Sequence, residues 1–74
     1  MEERHYRIAW SSVDGAGSED TPIAEEETAI QQANAEQGCA EINGNPWGYS
    51  YKVWRHDGSR VDTIYNARTG EHYR

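Results

Sequence analysis

Residues 49–65, YSYKVWR-HDGS-RVDTIY, decide the fold. Two runs rich in β-branched and aromatic side chains, 49–55 and 60–65, flank His56-Asp57-Gly58-Ser59. Their alternation of polar and apolar residues has the period of two that places successive side chains on opposite sheet faces. They read as an antiparallel hairpin, and two registers compete for it. A two-residue Asp57-Gly58 turn sets Val53 opposite Asp62 and Lys52 opposite Thr63. A three-residue loop, with Gly58 left-handed in a bulge, pairs Val53 with Val61, Lys52 with Asp62, Trp54 with Arg60 and Tyr49 with Tyr65. The bulged register creates an apolar pair, an ion pair and a cation–π pair, and it is the expected one.

Working outward, His5-Tyr6-Arg7-Ile8-Ala9-Trp10-Ser11 alternates in the same way, with Tyr6, Ile8 and Trp10 on one face. The glycines and acids of residues 14–20 read as a mobile loop. Thr21 as N-cap and Pro22 at the first helical position open a helix expected over residues 22–37, with Gly38 closing it. Ile23, Ala29, Ile30 and Ala33 supply its narrow apolar stripe. Cys39-Ala40-Glu41-Ile42 reads as a short strand ended by Asn43-Gly44-Asn45-Pro46. After the hairpin, residues 66–70 form a turn and Glu71-His72-Tyr73 a short final strand. The expected fold is α+β, a single domain over residues 1–74. One helix packs on an antiparallel sheet of about four strands, in the order β-α-β-β-β. Its core comes from Tyr6, Ile8, Trp10, Ile23, Ile30, Ala33, Ile42, Tyr51, Val53 and Val61.

The charges are segregated. Between Ile8 and Tyr51 there is no Lys or Arg, yet eight carboxylates stand there: Asp14, Glu19, Asp20, Glu25, Glu26, Glu27, Glu36 and Glu41. The remaining C-terminal stretch carries five basic residues against three acidic ones, and the whole chain has a formal net charge of −6. A solvated helix ordinarily mixes signs through i,i+4 pairs. A one-sign field over half of a small domain instead repels nucleic acid and anionic membranes, and attracts basic grooves.

Cys39 is the only cysteine, so an intrachain disulfide is excluded and a cysteine zinc site is not expected. Lone thiols suit a reducing compartment, and the charged start at Glu2, Glu3 and Arg4 does not resemble a leader, so a soluble cytoplasmic protein is expected. His5, His56 and His72 fall on separate elements without metal-ligand spacing, and no metal or cofactor is expected. Cys39 follows the expected helix C-terminus, the end that disfavours a thiolate, and reads as a small buried hydrophobe rather than a nucleophile. No phosphate-cradling loop occurs, because Gly15-Ala16-Gly17 lies among acids. An enzyme is not expected.

The residues expected to bind a protein partner are Glu19, Asp20, Glu25, Glu26, Glu27 and Glu36 on the acidic side, and Trp54 with Arg60 on the hairpin. Ala35-Glu36-Gln37-Gly38-Cys39 and the hairpin around Asp57-Gly58 sit in a layout that resembles small bacteriophage anti-CRISPR proteins. In some of these a strand and a polar loop lead to a helix on a hairpin sheet. The resemblance implies binding to a CRISPR effector in the host bacterial cytoplasm and blockage of its DNA path. The expected function is therefore non-enzymatic inhibition. Carboxylates would stand in for phosphates in the basic groove of a nucleic-acid-handling protein, with neither nucleic acid nor membrane as a direct partner. Two alternatives are an adaptor that uses an aromatic sheet face and a weak nucleic-acid binder acting through the C-terminal arginines.

Overall fold

In a computed structural model, which describes residues 4–73, the hairpin is present but its register differs from both expectations. Strands β3 (Ser50–Asp57) and β4 (Arg60–Asn66) join at Gly58-Ser59, with Asp57 opposite Arg60, Arg55 opposite Asp62 and Trp54 opposite Thr63. The turn closes one residue later than Asp57-Gly58, which puts Gly58 at the first turn position with φ 64°. Hairpin turns of two residues demand a positive φ there, and glycine meets it without steric cost. The irregularity expected at the tip lies instead between Val53 and Trp54, so that Val53 pairs with Tyr65 and Ile64 is the extra residue. A bulge turns two consecutive side chains toward one face. Ile64 and Tyr65 accordingly enter the same core cluster.

Strand β1 (His5–Ser12) lies along β3, with Ile8 opposite Val53 and Trp10 opposite Tyr51. The glycine-rich segment expected to be a loop is a strand, β2 (Gly15–Ser18), folded back on β1 with Trp10 opposite Gly17. A Cβ at Gly17 would stand 2.9 Å from the Trp10 ring, so the missing side chain is what lets the indole lie across the strand. The tail turn leads to β5 (Glu71–His72), as expected. The five-stranded sheet has the order β2-β1-β3-β4-β5, and the elements follow one another as β-β-α-β-β-β.

Helix α1 spans Glu26–Ile42, later at both ends than expected. Its start moves because Ile23 is extended: Ile23 and Tyr6 exchange two backbone hydrogen bonds of 2.8 Å, so the chain cannot yet wind. Glu25, not Thr21, is the N-cap. Its end moves because Gly44, at φ 81°, supplies the left-handed residue. Gly44 N–H donates to Glu41 O and Asn45 N–H to Ala40 O, the paired bonds of a Schellman motif. Gly38 and the expected strand at residues 39–42 are therefore helical.

The buried helix stripe is Ala29, Ala33 and Gln37, spaced by four. Two methyl groups let the helix approach closely over Ile8 and Val53, both fully buried, beside Tyr6, Ile64 and Tyr65. The Tyr65 hydroxyl ties the same strand to the helix, 2.7 Å from Asn34 Oδ1. Two expected core residues are outside. Ile42, on the solvent side of the last helical turn, is 85% exposed, and Val61, opposite His56 on the uncovered sheet face, is 49% exposed. Trp10 is half-buried, while Ile23, Ile30 and Tyr51 flank the core as partly buried residues. Gln37 sits where β4 has turned away from β3. Its amide accepts from Tyr51 N–H at 2.9 Å and donates to Tyr49 O at 2.9 Å, completing the strand edge.

Candidate protein-binding surface

The acidic residues lie on the helix side of the sheet. Glu25 occupies the N-cap position without a side-chain capping bond while Glu26 and Glu27 lie in the first turn, and all three are exposed. The positive end of the helix dipole lowers the cost of clustering them there. Exposed Asp20 and half-buried Glu19 precede the helix, with Arg7 Nη1 donating to Asp20 O at 2.9 Å and to Glu19 O at 3.4 Å. Arg7 thus holds the backbone, leaving the Asp20 side chain in solvent and the Glu19 carboxylate turned to the helix. Gln32 Nε2 donates to Glu19 Oε1 at 3.3 Å, which brings Glu19 beside the helix.

Glu19 and Glu36 meet there. Burial, and then the hydrogen bond and charge of Glu19, push the Glu36 carboxyl up to about 7. A proton on Glu36 turns a carboxylate clash into a hydrogen bond to Glu19. From Glu26 to Glu41 the helix rises roughly 22 Å, so its acids are spread along its length rather than gathered at a point. Among the described residues the ion pairs are Arg4–Asp57, Arg55–Asp62 and Arg60–Asp62, and none involves a carboxylate between Asp14 and Glu41.

Trp54 and Arg60 are not brought together. Trp54 pairs with Arg7 and Thr63 on the sheet face away from the helix. Arg60 points to the other face, where its Nε lies 2.9 Å from Asp62 Oδ2. The expected cation–π pair is absent because the register moved. The uncovered face instead carries Arg7, Lys52, Trp54 and the stacked rings of His5 and His56, with centroids 4.7 Å apart.

A groove of about 620 Å³, which the sequence reading missed, opens between the second half of the helix and the loop that follows it. Glu36, Cys39 and Ala40 line one wall, and Trp47, Tyr49 and Tyr51 the other. Cys39, expected as a buried hydrophobe, is exposed on this helix wall. The aromatic wall is fixed from behind: Tyr49 and Tyr51 stack at 5.8 Å, and Trp10 meets Tyr49 edge-on at 6.3 Å. Burial, and then the charge of Glu36, holds the Tyr51 phenol above its ordinary value. The loop is pinned by Asn45, whose Oδ1 accepts from Tyr49 N–H at 2.7 Å and whose Nδ2 donates to Glu41 Oε1 at 3.1 Å. The signal that could have found the groove was Asn43-Gly44-Asn45 as a helix stop. A helix reaching Ile42 sets Glu36, Cys39 and Ala40 on one face.

Among the described residues no group of three His, Cys, Asp or Glu side chains could hold a metal ion, and no helix is long and apolar enough to cross a membrane. No protein-family model, curated protein or solved structure matches the chain.

Proposed function

We propose that this protein is a non-enzymatic inhibitor that docks its acidic helix side into the basic groove of a nucleic-acid-handling protein and occludes the nucleic-acid path. One observation carries the reading: the carboxylates between Asp14 and Glu41 make no ion pair among the described residues, while every ion pair lies elsewhere. Exposed carboxylates held on a rigid helix present fixed negative charge, as phosphates along a strand do. A CRISPR effector in a bacterial cytoplasm, the partner that the anti-CRISPR resemblance implies, belongs to this class. Arg55 and Arg60 are engaged by Asp62, which disfavours direct nucleic-acid binding through the C-terminal arginines.

Changing Glu25, Glu26 and Glu27 together to Gln tests the proposal, because it removes three exposed charges at nearly constant shape and helix propensity. The variant should fold, capture its partner from bacterial lysate at least tenfold less well, and lose part of the salt dependence of association. The captured wild-type complex should fail to bind labelled DNA or RNA. Undiminished capture by the triple variant, with loss instead in Trp54→Ala, would move binding to the uncovered sheet face and favour the adaptor reading.

A further inference from the structure

Three features distinguish the groove beside Glu36 from an ordinary surface depression. Trp47 is 52% exposed although it lines the groove, so aromatic surface is left open. Tyr49 and Tyr51 are already stacked and braced by Trp10, so the wall exists before anything binds. The Glu36 Oε2 atom is shielded from solvent and accepts no hydrogen bond from the described residues.

These features select an occupant. An anion is repelled by Glu36 and nearby Glu19. A hydrocarbon covers the aromatic rings but takes water from the Glu36 wall and offers it no hydrogen bond, which is costly. A cation satisfies both walls, since aromatic faces attract positive charge and the carboxylate accepts its N–H groups. Between the two basic side chains, the planar guanidinium both stacks on aromatic rings and forks onto a carboxylate, whereas an ammonium is a compact, strongly hydrated point charge.

We propose that the groove is a receptor for an arginine side chain, with the guanidinium stacked on the Trp47–Tyr49–Tyr51 wall and its N–H groups directed to Glu36. The inference rests on the reading of a basic protein as partner and names what that protein inserts. The helix-side field gathers a basic surface, and the groove selects one arginine within it. An arriving guanidinium favours ionised Glu36, whose carboxyl stands near 7, so binding releases a proton and tightens as pH rises through neutrality.

The test needs no partner. Nα-acetyl-arginine methylamide is titrated into the whole protein while the Trp47 indole N–H is followed by NMR, and the citrulline analogue serves as a neutral probe of the same shape. The expected result is a saturable Trp47 shift with arginine, at least fivefold weaker binding of citrulline, and at least fivefold weaker arginine binding in Glu36→Gln. The Gln variant keeps the side-chain volume, and its spectrum reports whether it is folded. Equal shifts with the two probes, or arginine shifts that centre on Trp54 instead of Trp47, would overturn the proposal. The acidic trio is not touched, so the two readings fail separately. Arginine binding that persists while the Glu25, Glu26 and Glu27 triple variant captures normally removes only the acidic-face reading. Absent arginine binding with capture still sensitive to that triple change removes only the groove.

Discussion

Charges at the hairpin tip and charges along the helix obey different rules. At the tip, Arg4 meets Asp57 at 3.0 Å, Arg60 meets Asp62 at 2.9 Å and Arg55 meets the same carboxylate at 3.4 Å. Along the helix side, Glu19 and Glu41 take amide partners, and Glu25, Glu26 and Glu27 stand in solvent. Exposed ion pairs contribute only about 0.2–1 kcal/mol, so the tip gains little stability from its pairs. What it gains is relief from negative charge, since three guanidinium groups face two carboxylates. The difference teaches that the negative field is confined to one side because the cations of this chain are used elsewhere.

The comparison is broken most forcefully at Gln37, which fastens the acidic helix to the sheet. Gln37→Ala leaves the partly buried Tyr51 N–H without its acceptor, whereas Tyr49 O keeps Asn45 Nδ2 at 3.0 Å. An orphaned, partly buried donor and the vacated volume together should cost about 2–3 kcal/mol, read as a lower urea midpoint. A change below about 0.5 kcal/mol would mean that water or a neighbouring group replaces the amide.

A smaller effect sharpens the contrast through pH. Because the native Glu36 carboxyl is raised to about 7, the folded state holds a proton that the unfolded chain releases near 4.5. Stability from this group is therefore full below the unfolded value and is lost as pH rises through about 7. Solvent screening of the partly exposed pair limits the loss to about 1 kcal/mol. Glu36→Gln should remove this decline and be the more stable form at pH 8. Wild-type and variant stability curves that run parallel from pH 5 to 8 would sink the assignment.

The smallest effect is expected at the tip. Asp62→Asn frees Arg55 and Arg60 together yet should cost no more than about 1 kcal/mol in thermal or urea unfolding. Partner capture should be unchanged. A large loss of capture would place the tip, rather than the helix side, at the interface.

The elements visible in the sequence were those whose pattern is local. The alternation through Tyr6, Ile8 and Trp10, and that of the hairpin, led directly to β1, β3 and β4, and the tail turn to β5. What was not legible depends on distant partners. Thr21-Pro22 is a good helix start, but Tyr6 claims the Ile23 backbone. Gly38 and Gly44 are both plausible stops, and only the bonds around Asn45 choose between them. Gly15-Ala16-Gly17 lacks strand propensity and becomes a strand because Trp10 covers Gly17. The hairpin register turned on Ile64, whose place as an extra residue satisfies the core under the helix rather than any cross-strand pair. Of the candidate surface, the exposed Glu25, Glu26 and Glu27 at the helix start were readable from dipole logic, although the helix begins later. The groove was hidden because it joins Cys39, expected in a strand, to tyrosines expected only as sheet residues.

The strand order has a consequence for the behaviour of the protein in concentrated solution. The eight-residue strands β1 and β3 are interior, whereas the two rims are β2, with four residues, and β5, with two. Unpaired backbone on a long, flat rim is a template for intermolecular zippering and fibril growth. Here a neighbouring molecule finds β2 on one side and, on the other, β5 with residues 60–63 of β4 that β5 does not cover, on a particle with net charge −6. Colloidal repulsion and these short margins act together against such zippering.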